Sequence, residues 1–358
     1  MNKKIFLITG GAGFIGSAVA RHVVQDLKLK AIVLDKLTYA SNIKSLSSIK
    51  NDKKFVFIKA DICNSGQVHN ILKIHSPDVI MNLAAETHVD RSIDSPDEFV
   101  KTNIRGTFTL LKKSFEYWSK LPKSRKKNFR FHQISTDEVY GDLKNVFKRA
   151  NENFLYRPNS PYSASKASAD HLVRAWCKTY GFPTIITNSS NTYGPYHFPE
   201  KLIPLIILNA IEGKKLPVYG RGQQIRDWLH VSDHARALII AATKGKIGNT
   251  YNIGAENQLK NIEVVKMICR FLEKLAPNKP RGVKNYKDLI TYVKDRPGHD
   301  TRYAVSSKKI KDKLKWKPKE NFPSGLRKTI EWYLNNLNWC KQIQKNNYNR
   351  ERLGILHK

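Results

Sequence analysis

With 358 residues and an apolar content of 41%, the chain can fold as one continuous unit of two domains, which excludes a disordered protein. No run of about 18 apolar residues occurs, which excludes a membrane-spanning helix. Four cysteines without metal-ligand spacing are typical of free thiols in a reducing cytoplasm, where we expect the protein to reside. The net charge of +33 permits nucleic-acid binding, but no nucleic-acid-binding motif accompanies the basic clusters at 123–127 and 308–315, so we expect no such partner.

Short apolar runs alternate with longer amphipathic stretches in the first half of the chain. This alternation predicts repeated strand–helix units and a doubly wound parallel sheet, an α/β fold with ligands at the carboxyl ends of the strands. The predicted strands cover residues 5–8, 31–34, 55–58, 79–83, 129–134 and 184–187, and the predicted helices cover residues 13–24, 102–118 and 163–180.

A glycine-rich stretch, residues 10–16, lies between the first predicted strand and the first predicted helix. Glycine lets the chain turn tightly and lets a pyrophosphate approach the helix N-terminus, where free amides and the helix dipole favour negative charge. Tight turns also collect glycine, but here Asp35 ends the second strand about 20 residues further on. A carboxylate there hydrogen-bonds an adenosine ribose and repels a 2′-phosphate, so we predict NAD rather than NADP, with Lys36 weighing slightly the other way.

Two adjacent carboxylates, Asp137 and Glu138, follow the fifth predicted strand directly. Neighbouring residues of a continuing strand face opposite ways, so the chain must leave extended geometry if both serve one pocket. A solvated acidic turn is the ordinary alternative. The position at the expected ligand edge favours a pair in which one group acts as acid and the other as base, beside a redox cofactor.

Tyr162 and Lys166 are four residues apart and therefore share one face of a predicted helix. A nearby ammonium lowers the pKa of a tyrosine from its ordinary value of about 10, because it favours the phenolate. The same ammonium can donate to a nicotinamide ribose. A chance pair on a lysine-rich helix is the alternative, and the dinucleotide fingerprint upstream favours the functional interpretation.

Proline and glycine become frequent after residue 188, which predicts a looping second domain. Helical spacing over 234–242, followed by Tyr251-Asn252-Ile253, is expected to rejoin the main sheet, and a last helix is predicted near 324–337, before a polar tail. We predict an NAD-binding Rossmann domain of residues 1–190, joined again by 223–253. The predicted substrate domain covers residues 191–222 and 254–358.

Over nearly its full length the chain resembles the dTDP-glucose 4,6-dehydratases of the extended short-chain dehydrogenase/reductase family. The glycine loop and the Tyr/Lys pair belong to the wider superfamily, whereas Thr136-Asp137-Glu138 is specific, because related epimerases lack the carboxylate pair. Thr87 and Thr192 depart from the serine and asparagine that are more usual there, and both keep hydrogen-bonding groups. The matching segments are residues 9–16, 35–40, 84–92, 135–141, 160–166, 191–202, 226–228 and 295–300.

The resemblance implies an NAD-dependent lyase that acts on dTDP-glucose. Tyr162 would take the proton from the sugar O4 while hydride leaves C4, with Thr136 positioning O4 and Lys166 tuning Tyr162. Glu138 would then remove the C5 proton while Asp137 protonates the departing C6 hydroxyl. Hydride would return to C6, giving a 4-keto-6-deoxy sugar.

The resemblance also implies a homodimer and two sets of binding residues. The cofactor contacts would be Gly10, Gly13, Phe14, Ile15, Gly16, Asp35, Lys36, Leu37, Thr38, Asp61, Ile62, Leu83, Ala84, Ala85, Thr87, Thr102, Tyr162 and Lys166. The substrate contacts would be Thr87, Thr136, Asn191, Lys201, Leu202, Pro217, Tyr219, Arg226, Asn261, Asp295, Arg296 and His299.

Two of these side chains, Arg226 and Arg296, are the natural diphosphate partners, because a guanidinium fork matches phosphate oxygens. An ordinary surface arginine is the alternative for each, more so for Arg296.

His88, His197 and His230 lack the spacing of metal ligands, so we expect no metal site. Two other functions stay open: an epimerase or dehydratase acting on another nucleotide sugar, and a non-enzymatic NAD-binding or nucleic-acid-binding protein.

Overall fold

The computed structural model describes residues 4–145 and 147–344, in which strands and helices alternate as the apolar spacing predicts. The strands are β1 Ile5–Thr9, β2 Lys30–Asp35, β3 Phe55–Lys59, β4 Val79–Asn82, β5 Arg130–Thr136, β6 Thr184–Ser189, β7 Asn191–Tyr193, β8 Leu216–Tyr219, β9 Ile225–His230, β10 Thr250–Ile253, β11 Gln258–Lys260 and β12 Ile290–Val293. The helices are α1 Phe14–Arg21, α2 Ser65–His75, α3 Val89–Asp94, α4 Pro96–Phe99, α5 Thr107–Ser119, α6 Lys123–Asn128, α7 Pro161–Tyr180, α8 Leu202–Ile211, α9 Val231–Lys244, α10 Asn261–Leu275, α11 Lys308–Leu314, α12 Phe322–Asn335 and α13 Leu337–Gln344. Shorter π-helical and 3₁₀ turns cover His22–Asp26, Ile43–Ile49, Val100–Gly106, Asp137–Tyr140 and Tyr286–Leu289.

Within the described residues, seven strands form one parallel sheet in the order β3-β2-β1-β4-β5-β6-β10. The strand order reverses between β1 and β4, which places the expected ligand crevice at the carboxyl ends of these two strands. The six strands predicted for the first 190 residues are all present, with ends shifted by one or two residues. The predicted α/β fold with a doubly wound parallel sheet is confirmed.

Both faces of this sheet are covered by helices, which explains why its strands are apolar on both sides. Phe6 and Ile8 of β1 point into a layer built with α1 and α9, whereas Leu7 between them points into the opposite layer with α2 and α5. Each such side chain is fully buried and stabilises the fold by about 1.5–3 kcal/mol relative to exposure.

The region after β6 builds a second hydrophobic core from α8, α10 and α12. Ile262, Val265, Ile268 and Leu272 recur at helical spacing along α10, and all four are buried against this core. In the part of the chain that the structure describes, β7, β9 and β11 form a small sheet that contributes Tyr193 and Trp228 to this core, and β8 pairs with β12 in a second sheet.

The chain returns to the large sheet through α9, which packs against α1, and through β10, which pairs in parallel with β6. Residues 225–230 instead form β9, the middle strand of the three-stranded sheet. The division into two domains stays a prediction, and residues 345–358, with the predicted polar tail, lie outside the described residues. No helix within 4–145 and 147–344 is both long enough and apolar enough to cross a membrane.

Candidate active site

A cleft opens at the carboxyl ends of β1, β2, β4, β5 and β6, where the strand order reverses. Residues predicted to bind a cofactor, to bind a substrate or to act in catalysis meet in its lining, although they are far apart in the sequence. Those that line it are Gly10, Gly13, Phe14, Ile15, Gly16, Asp35, Lys36, Thr38, Asp61, Ile62, Leu83, Ala84, Ala85, Thr87, Thr102, Thr136, Asp137, Glu138, Tyr162, Lys166, Asn191 and Lys201.

The glycine loop needs glycine at two positions for different reasons. Gly10 has a φ of +65°, and a Cβ there would lie 2.7 Å from the backbone nitrogen of Ala84. A Cβ on Gly16 would lie 2.2 Å from the carbonyl oxygen of Gly10. Gly13 is the N-cap of α1, and no side chain caps this helix, so its first turn is open to an anionic group.

Asp35 ties the glycine loop to the end of β2. Its Oδ2 accepts the N–H of Ala12 at 2.9 Å, and its Oδ1 accepts the N–H of Leu37 at 2.8 Å. Leu37 itself does not line the cleft, and its contact with the cofactor stays a prediction. Its φ of +59° turns the chain, and its side chain packs against the core layer of α1 and α9 instead.

The ammonium of Lys36 is already engaged within the chain. Its Nζ donates to Oγ1 of Thr102 at 3.2 Å and lies 3.7 Å from Oε1 of Glu86. Because the positive charge of Lys36 is paired with the Glu86 carboxylate, Lys36 argues less for NADP than the sequence alone indicates.

The carboxylate pair lies where β5 ends. Thr136 is still extended, and its Oγ1 accepts the N–H of Glu138 at 3.3 Å, which starts the 3₁₀ turn Asp137–Tyr140. The chain thus leaves extended geometry at Asp137, as it must if both carboxyl groups are to face one pocket. Both line the cleft.

Asp137 is 3% exposed, and burial raises its pKa well above its ordinary value, an effect to which Glu138 and Asp227 add. Its Oδ1 accepts a hydrogen bond from the Thr136 hydroxyl at 3.4 Å, whereas its Oδ2 has no partner among the described residues. Burial of this kind favours the neutral form of a carboxyl group, which is the form that can donate a proton.

Glu138 has different surroundings. Burial raises its pKa as well, but the positive charges of Arg296, Arg226 and Lys201 oppose this effect. The phenol of Tyr303 donates to its Oε2 at 3.4 Å. A carboxylate facing three cations is better suited to accept a proton than to donate one, so the two neighbours are suited to opposite tasks.

Tyr162 and Lys166 lie on the first turns of α7. Ser160 and Ser163 form a capping box around Pro161, which fixes where this helix begins. Both side chains are buried, and the Nζ of Lys166 donates to the carbonyl oxygen of Ile134 at 2.7 Å. Burial lowers the pKa of Lys166 to about 8.

The predicted lowering of the Tyr162 pKa by Lys166 is wrong for the side chains of the chain alone. Burial raises the pKa of Tyr162 above its ordinary value, and Glu138 adds to this effect. A hydrogen bond with the Thr136 hydroxyl acts in the opposite direction. Lys166 is not among the main groups that shift the pKa of Tyr162, and its Nζ is bonded to the carbonyl oxygen of Ile134.

Eight predicted substrate residues do not line the cleft: Leu202, Pro217, Tyr219, Arg226, Asn261, Asp295, Arg296 and His299. Leu202 begins α8, Pro217 lies in β8 and Asn261 begins α10, at the second core. The Nη1 of Arg296 lies 2.5 Å from Oδ1 of Asp90, whose Oδ2 accepts the phenol of Tyr219 at 3.0 Å.

The other members of this group are also engaged. Arg226 donates through Nη2 to the carbonyl oxygen of Asp300 at 2.9 Å and lies 4.2 Å from the ring centroid of Tyr303. His299 and Asp295 are bonded to one another at 2.6 Å. Arg226 is 4% exposed and the side chain of Arg296 is 17% exposed, so the surface-arginine alternative is wrong for the first and poorly suits the second.

The sequence reasoning missed two histidines in the cleft lining. His234 on α9 is buried, bonds to Ser189 at 2.7 Å and to Thr192 at 2.8 Å, and burial lowers its pKa to about 3. Thr192, one of the departures from the family pattern, is thus a hydrogen-bond partner of His234. His197 stacks on Phe14 with ring centroids 4.1 Å apart. A polar ring within the apolar helical stretch 234–242 was the available signal for His234.

Within the described residues, no group of acidic, histidine or cysteine side chains could hold a metal ion.

Comparison with known proteins agrees with this geometry. Residues 7–329 match the family model for GDP-mannose 4,6 dehydratase. A dTDP-glucose 4,6-dehydratase of Escherichia coli is 58% identical, over 98% of this chain and 99% of that relative. The chain belongs to the dTDP-glucose 4,6-dehydratase family. The resemblance predicted from the motifs is therefore confirmed.

Solved structures of the family share the fold. The dTDP-glucose 4,6-dehydratase of Bacillus anthracis strain Ames, in complex with NAD, is 42% identical with a TM-score of 0.83, covering 95% of this chain and 99% of that one. DesIV, the dTDP-glucose 4,6-dehydratase of Streptomyces venezuelae with NAD and TYD bound, is 37% identical with a TM-score of 0.85, covering 94% and 99%.

Proposed function

We propose that this chain is a dTDP-glucose 4,6-dehydratase that converts dTDP-glucose to dTDP-4-keto-6-deoxyglucose and water, with NAD as a recycled cofactor. The observation that carries the proposal is the pair Asp137 and Glu138 at the end of β5, next to Tyr162. Burial raises the pKa of the Asp137 carboxyl, whereas the Glu138 carboxyl faces three cations that oppose such a rise. Sequence identity of 58% to a dehydratase of this name supports the same substrate.

The residues present fit NAD. Glycine at positions 10 and 16 lets the loop pack tightly against the backbone of Ala84 and against itself. The first turn of α1 has no side-chain cap, so its N–H groups are available to a pyrophosphate. Asp35 is the residue that would hold the adenosine ribose, and the pairing of Lys36 with Glu86 disfavours a 2′-phosphate. The NAD-bound dehydratase structures, one of them 42% identical to this chain, support this choice.

In the first step, the sugar O4 gives its proton to Tyr162 as the C4 alcohol is oxidised to a ketone. When bound, NAD would supply the hydride acceptor for C4 and the hydride donor for C6, and its oxidised form would add a positive charge that favours the Tyr162 phenolate. Thr136 orients the O4 hydroxyl, and Lys166 is placed to hold the nicotinamide ribose.

In the second step, the C4 ketone makes the C5 proton acidic, and Glu138 removes it. Asp137 gives its proton to the C6 hydroxyl, which leaves as water and forms the C5–C6 double bond. When hydride reaches C6, Glu138 returns a proton to C5. The different surroundings of the two carboxyl groups support this division of roles.

The diphosphate site is proposed to include Arg226 and Arg296. Both side chains are largely buried, and their charges act on Glu138. Each guanidinium holds its donors in a fixed planar fork. Lys201, which lines the cleft and donates to the carbonyl oxygen of Thr87 at 3.0 Å, adds a third cation.

A homodimer and a cytoplasmic location are further parts of the proposal. Phe108 on α5 is 41% exposed and touches Trp176 on α7 at a centroid distance of 5.8 Å, which supports an apolar helical face suited to a second copy. Light scattering after size exclusion should give twice the chain mass, and Phe108→Glu should shift the measured mass towards that of the monomer.

All four cysteines lie within the described residues and are free thiols, which favours a reducing compartment.

The decisive experiment follows two hydrogen isotopes. Substrate deuterated at C4 should give product with that deuterium at C6, and reaction in heavy water should place deuterium at C5, through the proton held by Glu138. An epimerase would leave the label at C4 and release no water. Mass spectrometry and proton NMR of the product decide the matter: a keto-sugar without deuterium at C6 would refute the mechanism.

A further inference from the structure

Asp90 is a buried carboxylate to which the proposed function assigns no task. It lies in the first turn of α3, shortly after Thr87, which lines the cleft. Only 3% of Asp90 is exposed. A buried charge is costly unless it is paired, so the partners of this carboxylate indicate what it does.

The two oxygens of Asp90 hold residues from two different segments. Oδ1 lies 2.5 Å from Nη1 of Arg296, in the loop after β12, and Oδ2 accepts the phenol O–H of Tyr219, at the end of β8, at 3.0 Å. The side chain of Asp90 is 5% exposed and that of Arg296 is 17% exposed, so this ion pair is largely removed from water. Because β8 and β12 are paired strands, Asp90 joins their ends to the segment that follows β4. Both partners are residues that the family resemblance assigns to the substrate.

The neighbours of Asp90 in the sequence strengthen the same junction. The carbonyl oxygen of Thr87 accepts Nζ of Lys201 at 3.0 Å, and Nε of Arg91 donates to Oε2 of Glu200 at 3.0 Å. The segment 87–91 is therefore tied to the second half of the chain on either side of Asp90. The position of the Asp90 carboxylate is thus set by the fold rather than by a ligand.

One donor of Arg296 remains for a ligand. Its Nε is buried and has no hydrogen-bond partner among the described residues. An unsatisfied buried N–H is unfavourable, and a phosphate oxygen would satisfy it. Because Asp90 holds Nη1, the planar guanidinium directs its other N–H groups along fixed lines. The phenol of Tyr219 gives its proton to Asp90, so its oxygen can only accept a hydrogen bond from a ligand.

Given the diphosphate site proposed above, on which this step rests, we propose that Asp90 is a positioning residue that fixes Arg296 and Tyr219 for the nucleotide diphosphate. An arginine side chain has many rotamers, and fixing it before the ligand arrives removes an entropic cost from binding. Asp90 also neutralises the charge of Arg296, so this arginine contributes the direction of its donors more than net charge. Net attraction comes from the other cations of the proposed site, Arg226 and Lys201.

Asp90→Asn tests this role, because asparagine has nearly the same shape but lacks the charge and the second acceptor oxygen. In calorimetric titration of the NAD-loaded enzyme with dTDP, the nucleotide part of the proposed substrate, the Kd should rise by roughly tenfold or more. The KM for dTDP-glucose should rise to a similar extent, while kcat and the affinity for NAD change by less than about threefold. Asp97→Asn is the matched control: it removes the same charge from an exposed site on α4 and should leave the Kd of dTDP unchanged.

A double-mutant cycle shows whether Asp90 acts through Arg296. Arg296→Met should weaken dTDP binding by itself, and adding Asp90→Asn should weaken it by less than about twofold more, because no guanidinium is left to position. Tyr219→Phe removes the second bond of Asp90 and keeps the ion pair, so it should have a smaller effect than Asp90→Asn. If the asparagine variant does not fold, Asp90→Ser, whose side chain is one atom shorter, takes its place in the cycle.

Three results would overturn the role given to Asp90. The first is an unchanged or lower Kd of dTDP in folded Asp90→Asn, and the second is a full additional loss when Asp90→Asn is combined with Arg296→Met. The third is a parallel loss of dTDP affinity, NAD affinity and thermal stability, which indicates a purely structural residue. In each case the wild-type enzyme still binds dTDP and forms keto-sugar, so the proposed function stands. A wild-type enzyme that does neither refutes the proposed function and, with it, this role of Asp90.

Discussion

Asp35→Asn tests how the chain distinguishes NAD from NADP. The Asp35 carboxylate is 4% exposed, and hydrogen bonds from Ala12 at 2.9 Å and Leu37 at 2.8 Å fix its position. Two unit charges about 4 Å apart interact by roughly 1 kcal/mol in water and roughly 4 kcal/mol near a protein surface. Repulsion of the 2′-phosphate should therefore favour NAD at least about tenfold, or about 1.4 kcal/mol, and the asparagine should remove most of this preference.

The same substitution should lower stability by a separate mechanism. Asparagine accepts through one oxygen only, so one of the two backbone N–H groups loses its partner, at about 1–3 kcal/mol. For a chain of this length that corresponds to a decrease in Tm of roughly 1–4 °C. Asp52→Asn is a matched control, because Asp52 is exposed and accepts the N–H of Lys54 through one oxygen, Oδ1, at 2.8 Å.

Competitive titration of NADP against bound NAD measures the preference, and thermal unfolding measures the stability. Both nucleotides should still bind to Asp35→Asn, with a smaller difference between their affinities. An unchanged ratio of the two affinities in a folded variant would refute the role given to Asp35, as would equal affinities in the wild-type protein.

Three further predictions concern catalysis, acid stability and charge. Asp137→Asn and Glu138→Gln should keep the fold and NAD binding but slow keto-sugar formation by roughly 10²-fold or more each, and near wild-type rates in both would contradict their roles. Burial lowers the pKa of His234 from 6.5 to about 3, so the contribution of this neutral side chain to the free energy of unfolding is present above pH 6.5 and is lost as the pH falls towards 3. In urea unfolding, the free energy of unfolding should therefore decrease less between pH 7 and pH 4 in His234→Asn than in wild type, and equal decreases would contradict this. The net charge of +33 should attract the anionic dTDP-glucose, so kcat/KM should fall as the ionic strength rises from about 0.01 to 0.15 M and the Debye length shortens from about 30 to 8 Å. A value of kcat/KM that does not depend on salt would exclude this long-range attraction.

Local patterns in the sequence were sufficient to predict the positions of many residues of the site. Gly10, Asp35, Tyr162 and Lys166 belong to motifs whose geometry is set by one strand, one turn or one helix, so their place at the cleft followed from the pattern. The departure from extended geometry at Asp137 also followed, because adjacent residues on a strand cannot face the same way.

Features that depend on long-range packing could not be predicted in this way. The bonds of Asp90 to Arg296 and Tyr219 join three distant segments, and no local periodicity indicates them. The raised pKa of Tyr162 depends on how deeply α7 is buried and on the carboxylate of Glu138, not on the four-residue spacing to Lys166. The left-handed backbone of Leu37 and the packing of its side chain against the core are likewise not indicated by the local pattern.

The pairing of Lys36 with Glu86 restricts how cofactor preference could change in this lineage. A protein that uses NADP needs a cation for the 2′-phosphate, and Lys36 is next to Asp35 in the chain. Its ammonium, however, is held by Glu86 and Thr102. Replacing Asp35 alone removes repulsion without supplying attraction, and replacing Glu86 alone frees a cation that Asp35 then attracts. Neither single substitution gives the full gain in affinity for NADP, so a switch to NADP requires two coupled changes. Selection that acts on one substitution at a time would rarely produce both.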